Sequence, residues 1–153
     1  MTLEKKVAQK LILTGQTLAV AESCTGGLLT HRLTNISGSS KFLIAGIISY
    51  AQAAKIKLLA VPSSIIRKHG AVSQAVAKRM AQNIRQQFHC DFGVGITGIA
   101  GPTGGTKTKP VGLVYVAVSS VQKATCRKFL FKGNRLQNKT QAVDEALKML
   151  LMK

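Results

Sequence analysis

Ser23 lies in the run Ala21-Glu22-Ser23-Cys24-Thr25-Gly26-Gly27, between a short apolar segment and the amphipathic stretch from Leu28 to Leu33. The pattern predicts a strand that ends where a helix begins, with hydroxyls and glycines at the junction. Backbone N–H groups at such a junction lack intrahelical partners and carry the positive end of the helix dipole, so they suit an anion or a developing oxyanion. Glycine lets a backbone approach a ligand, and a serine beside it becomes a nucleophile when a base is at hand. The plainer reading has equal standing on these residues alone: Ser23 or Thr25 caps the helix and the glycines make the turn.

Two other segments put polar residues at the ends of expected strands, Ser49-Tyr50 and Thr97-Gly98. Ligands of open α/β sheets gather outside the carboxyl ends of the strands. A site would therefore collect Ser23, Tyr50, Thr97 and the glycine loop 101–105. No histidine neighbours these segments and carboxylates are scarce, so the nearest candidate base is a lysine of the short helix after Tyr50, with a solvated surface position as the default reading of each. Lys55 and Lys57 point about 200° apart on that helix, and at most one faces the site. Both have apolar residues three and four positions away, so periodicity leaves the choice open.

The elements that would position these residues read helix, strand, helix, strand, helices, then three strands and a last helix. Leu18 to Glu22 is the first strand and residues 27–35 the helix after it. Phe42 to Tyr50, the longest apolar run, reads as a buried strand. A helix over 52–60 stops before Pro62, because proline disfavours helix in the residue preceding it. Ser63 and Ser64 cap a short segment that ends at Gly70, and Ser73 caps a long helix to about His89. Phe92 to Ala100 is a strand, residues 111–121 and 124–131 form a hairpin, and the last helix starts near Asn134. Strands interleaved with helices over 153 residues predict one α/β domain, 1–153, without repeat or linker.

Composition narrows the function. With 46% hydrophobic residues the chain has the apolar mass of a folded domain, and no run reaches the roughly 18–20 residues that span a bilayer. The first fourteen residues form an amphipathic helix without a signal-peptide core, which leads to a cytoplasmic expectation. Three scattered cysteines and three isolated histidines give no disulfide framework and no metal-ligand spacing. Twenty-two Lys and Arg against five acids give a net charge of +17. These cations are dispersed from Lys5 to Lys153, aromatic residues are only 5% with no Trp, and no nucleic-acid motif occurs. Solvated surface charge is the first reading, a small phosphate-bearing ligand the second, and a nucleic-acid site the last. Gly93-x-Gly95-x-x-Gly98 spells a dinucleotide fingerprint, but Gly101, Pro102, Gly104 and Gly105 forbid the helix that must come after it.

Four motifs, in order along the chain, carry a resemblance. They are residues 21–27; Tyr50-x-x-x-x-Lys55-x-x-Leu58-Leu59; His69-Gly70-Ala71-Val72-Ser73; and Thr97-Gly98-Ile99-Ala100-Gly101-Pro102-x-Gly104-Gly105, followed by Lys109-Pro110-Val111-Gly112. The chain resembles the CinA C-terminal domain family, the nicotinamide-nucleotide amidases, over nearly its whole length and in a stand-alone form. The resemblance implies a three-layer α/β/α sandwich on a mixed sheet, a homodimer, and deamidation of nicotinamide mononucleotide to the nicotinic acid mononucleotide without metal or organic cofactor. It puts the nucleophile on Ser23 and the base on Lys55, with Thr97 assisting. Glu22, Thr25, Gly26, Gly27, Tyr50, Gly98, Gly101, Gly104, Gly105 and Arg135 would surround the substrate. By charge and loop chemistry, the phosphate would meet Arg135, Lys107 or Lys109, or the Gly104–Gly105 N–H groups, and the oxyanion the N–H groups of 25–27 or of the 98–101 loop. Two departures from the family pattern stand out: Tyr50-Ala51-Gln52 where the family writes Tyr-Ser-Asn, and Gly133-Asn134-Arg135 where it often has Gly-Asp-Arg. Cys24 as the nucleophile in place of its neighbour Ser23, a basic nucleic-acid-binding or competence-associated adaptor, and an inactive family member are the alternatives.

Overall fold

Alternation along the first strand sorts its side chains to two faces, and each face is covered by its own set of helices. The computed structural model describes residues 1–153. In chain order the elements are α1 (Leu3–Thr14), β1 (Leu18–Glu22), α2 (Leu28–Thr34), a 3-10 turn (Ser39–Lys41), β2 (Leu43–Ile48), α3 (Gln52–Leu59), α4 (Ser63–His69) and α5 (Gln74–Gln87). They continue with β3 (Phe92–Gly98), β4 (Leu113–Ser119), β5 (Ala124–Leu130) and α6 (Arg135–Leu151). One sheet runs in the order β2-β1-β3-β4-β5. β2, β1 and β3 are parallel, and β4 and β5 are added antiparallel, so the sheet is mixed.

Leu18 and Val20 face α1, α2 and α6 in the larger core, where Leu29, Leu33 and Leu147 are fully buried. Ala19 and Ala21 face the other way, toward Leu59, Val76, Met80 and Ile84 of α3 and α5. Each leucine buried in this way contributes about 1.5–3 kcal/mol. The result is the three-layer α/β/α sandwich. Small residues bring α5 close to the sheet: a Cβ on Gly93 would strike the Ala81 carbonyl, and one on Gly95 the Ala77 carbonyl. The glycines that spell a dinucleotide fingerprint are therefore helix-packing glycines inside β3. No helix is long and apolar enough to cross a membrane.

Ser73 caps α5 as expected, its Oγ accepting the Val76 N–H, and α6 starts where expected, with Asn134 and Gln137 forming a capping box. Ser63 and Ser64 do not cap α4; Pro62 holds the cap position, and Ser63 is already helical. Proline suits the entry to a helix because its fixed φ and missing N–H cost nothing there. The apolar run 42–50 is also corrected. β2 is an edge strand, paired only with β1, and its Ile44 and Ile48 are 48% and 52% exposed. Uniform apolarity in a short run does not reveal whether both faces of a strand are covered.

Candidate active site

The three parallel strands end side by side, and the candidate site residues sit at their carboxyl ends. Ser23 directly follows β1, Ser49 and Tyr50 follow β2, and Thr97 lies at the end of β3. β1 is central, with β2 on one side and β3 on the other, so the chain leaves Ser23 at the point where strand order reverses. A cavity of about 320 Å³ opens there. Its wall includes Ser23, Cys24, Tyr50, Lys55, Thr97, Gly98, Gly101, Gly104 and Arg135.

Lys55 answers the choice that helical periodicity left open. It is 1% exposed, and its Nζ lies 2.9 Å from Ser23 Oγ. The same nitrogen donates to the Ser49 carbonyl at 2.7 Å and to the Tyr50 carbonyl at 3.2 Å. Lys57, two positions on, is exposed. Burial away from water holds the Lys55 ammonium below the ordinary lysine value. The cradle accepts either protonation state. An ammonium donates all three hydrogens to the two carbonyls and Ser23. A neutral amine donates two to the carbonyls and turns its lone pair to the Ser23 hydroxyl, which is the arrangement a general base requires.

Cys24 is the competing nucleophile, and burial pushes its thiol up to about 12. Its thiolate is then scarce at neutral pH, and the thiolate is the reactive form. Thr97 is buried on the cavity wall, but its hydroxyl donates to the Ala71 carbonyl at 2.9 Å and makes no hydrogen bond to Ser23 or Lys55. Its position tethers the 69–73 loop to the site, a contact that sequence reasoning missed.

The start of α2 departs most from expectation. Glu22 is 0% exposed, and its carboxylate accepts from the N–H groups of Gly27, Leu29 and Thr30 and from the Thr30 hydroxyl, at 2.8–3.1 Å. Neither Ser23 nor Thr25 caps α2; Glu22 does. Gly26 N–H is also used, by the Ser23 carbonyl. The helix start therefore holds an internal anion rather than a substrate, and Glu22, Gly26 and Gly27 are not on the cavity wall. Thr25 is buried off the cavity with an unpartnered hydroxyl. The signal for Glu22 was present in the alternation Leu18, Val20, Glu22, which turns the carboxylate to the face that α2 covers. The N–H groups of Cys24, Ala100 and Gly101 find no acceptor within the chain, and all three residues line the cavity.

Arg135 reaches the cavity from the start of α6. It donates to the Gly101 carbonyl at 2.6 Å and to the Tyr50 hydroxyl at 2.9 Å, so one guanidinium joins the loop after β3 to the segment after β2. Asn138, one turn on and 1% exposed, donates to the Ala100 carbonyl of the same loop and accepts from the Gly133 N–H just before α6. Lys109 is directed elsewhere, to the His69 carbonyl at 2.6 Å, and Lys107 and Gly105 are absent from the wall. Gly105 packs against Val111 instead.

Comparison with known proteins agrees with this architecture. The family model of the CinA C-terminal domain matches residues 1–153. A CinA-like protein of Syntrophus aciditrophicus is 51% identical over 150 residues, which are 97% of this chain and 36% of that protein. A CinA-like protein of Koribacter versatilis is 47% identical over 152 residues, 99% of this chain and 37% of the relative. The chain thus spans little more than a third of the length of these curated relatives. Among solved structures, a CinA superfamily protein of Klebsiella pneumoniae superposes with a TM-score of 0.95 at 32% identity, covering 99% of this chain and 94% of the other. The competence/damage inducible protein CihA of Agrobacterium tumefaciens gives 0.93 at 34% identity, covering 100% and 98%. With a family model matched from end to end and relatives near half identity, the chain belongs to the CinA C-terminal domain family.

Proposed function

We propose that this chain is an amidohydrolase that converts nicotinamide mononucleotide to nicotinic acid mononucleotide and ammonia through Ser23 and Lys55. The observation that carries this reading is the buried Lys55 Nζ, 2.9 Å from Ser23 Oγ and without a carboxylate partner. A lysine paired with an acid would stay charged, whereas desolvation favours the neutral amine that a general base requires.

The reaction runs in two halves. Neutral Lys55 takes the Ser23 proton as Oγ attacks the carboxamide carbon. The carbonyl oxygen becomes an oxyanion, and the free N–H groups of Cys24, Ala100 and Gly101 are the donors available to it. The Lys55 ammonium then gives its proton to the departing nitrogen, the carbon–nitrogen bond breaks, and ammonia leaves an acyl ester on Ser23. Water, deprotonated by Lys55, attacks the ester and releases the carboxylic acid with Ser23 restored. Arg135 on the rim takes the substrate phosphate, since it is the sole cationic side chain on the cavity wall besides Lys55. Gly98, Gly101 and Gly104 let the loop after β3 approach the nucleotide closely. The homodimer expected of the family is part of this reading.

The test is direct. Purified protein incubated with nicotinamide mononucleotide should release ammonia and the acid product in equal amounts. Absence of both, with the folded protein verified by circular dichroism, would overturn the assignment.

A further inference from the structure

The positive charge is dispersed along the chain but sorted in space. No Asp or Glu occurs between Glu22 and Asp91, nor between Asp91 and Asp144. Glu4 and Asp144 both pair with Arg32, and Glu145 pairs with Lys148, so these three acids sit with the α1, α2 and α6 layer. Glu22 is sealed under α2, and Asp91 is bound to Thr17 at the opposite end of the sheet from the active site. The layer of α3, α4 and α5 therefore carries Lys57, Arg67, Lys68, Lys78 and Arg79 with no carboxylate among them.

A groove of about 500 Å³ runs along this layer beside the catalytic cavity, with Val72 forming part of both walls. Lys78 and Lys109 line it, and Tyr115 forms part of its floor. Tyr115 packs on the α5 side of β4, against the surface of Ala77, Ala81 and Ala117. Its cross-strand partner on β5 is Lys128, which is exposed on the same face. A half-buried ring thus shares the groove wall with Lys78 and with Lys109, whose amine also donates to the His69 carbonyl, while Lys128 stands beside it across the β4–β5 pair, and none of the three pairs with an acid.

We propose that this groove binds single-stranded nucleic acid, with a base stacked on Tyr115 and phosphates held by Lys78, Lys109 and Lys128. A half-buried ring on a groove wall can stack with any base, and nearby lysines follow the backbone, so binding needs no sequence preference. An anionic membrane would be met by the charge but makes no use of the recessed ring. The inference does not depend on the amidase reading, because Lys55 and Ser23 take no part in it.

Fluorescence anisotropy with a labelled oligothymidylate of about twelve nucleotides tests it, over a series of KCl concentrations starting at roughly 50 mM. The intact protein should bind with an affinity that falls linearly on a log–log salt plot. The pair Lys78→Gln, Lys128→Gln should reduce the steepness of that plot by about 1.4, at 0.7 per phosphate contact on a single strand. Lys5→Gln with Lys6→Gln removes equal charge from α1 and should leave the slope unchanged. Tyr115→Leu, which keeps an apolar side chain against α5, should weaken binding roughly tenfold. The proposal is overturned by no binding at the lowest salt, by equal losses in the two lysine pairs, by an unchanged Tyr115→Leu affinity, or by thymidine monophosphate binding as tightly as the oligomer. Melting curves of each variant distinguish a lost contact from a lost fold.

Discussion

Replacing Lys55 by methionine removes the ammonium and keeps most of the side-chain volume. In the structure that nitrogen serves Ser23 Oγ and the carbonyls of Ser49 and Tyr50, all behind a 1% exposed surface. A positioned general base contributes roughly 10²–10⁴-fold, and loss of a member of a nucleophile–base unit costs up to about 10⁶. Turnover of Lys55→Met should therefore fall by at least two orders of magnitude, while Lys57→Met, on the exposed side of α3, keeps it. The pH dependence supplies a second readout. Lys55 is held below its ordinary value by burial, so kcat/KM of the intact enzyme should rise with pH and level off below about 10.4. Stability follows with a definite sign. Between the folded and unfolded pKa values the unfolded chain binds the extra proton, so this residue makes stability rise with pH across that window. Lys55→Met should lack that rise. Ammonia release and urea midpoints measured across the pH range check both. A variant within tenfold of the parent rate, or a parent profile with no inflection below about 10.4, refutes the base.

Four further substitutions test the geometry. Ser23→Ala should abolish turnover by roughly four to six orders of magnitude. Cys24→Ala should retain it, because its thiol titrates only at about 12; the reverse pattern in the same ammonia assay would transfer the nucleophile to Cys24. Glu22→Ala leaves three helix-start N–H groups without their acceptor and should cost about 2–4 kcal/mol in chemical denaturation, with a loss under about 0.5 kcal/mol contradicting the cap. Arg135→Ala should raise KM for the mononucleotide but leave nicotinamide riboside, which lacks the phosphate, nearly unaffected; equal losses on both substrates would mean the guanidinium only shapes the loop.

Much of the frame is legible in the sequence because each element carries its own local signal. β1 ends at Glu22, the caps Ser73 and Asn134 open their helices, and the hairpin turns within 119–123, all as the residue patterns require. What fails locally is decided by tertiary burial. On α3 the lysine at 55 is buried while Ile56 and Leu58 are 41% and 43% exposed, so hydrophobic periodicity misleads where a site needs a dry amine. Ile44 and Ile48 are read as core because a strand's apolarity does not say whether a neighbour exists. Gly93 and Gly95 spell phosphate recognition and serve close helix packing, a distinction drawn by the glycine-rich loop after β3 and by α5 lying directly above the strand. The order β2-β1-β3 has no local signal, yet it is what brings Ser23, Tyr50 and Thr97 to one edge of the sheet.

The buried carboxylate of Glu22 also bears on what the nucleophile is shielded from. A protein with a charge of +17 concentrates small anions around itself, and an open helix start beside Ser23 would collect inorganic phosphate or chloride from any medium. With Gly27, Leu29 and Thr30 already committed to Glu22, that port is closed from within. On the amidase reading proposed above, free phosphate would be left to compete at Arg135, where it would imitate part of the substrate. On that reading, the charge would draw a nucleotide toward the cavity without small anions lodging at the helix start beside Ser23.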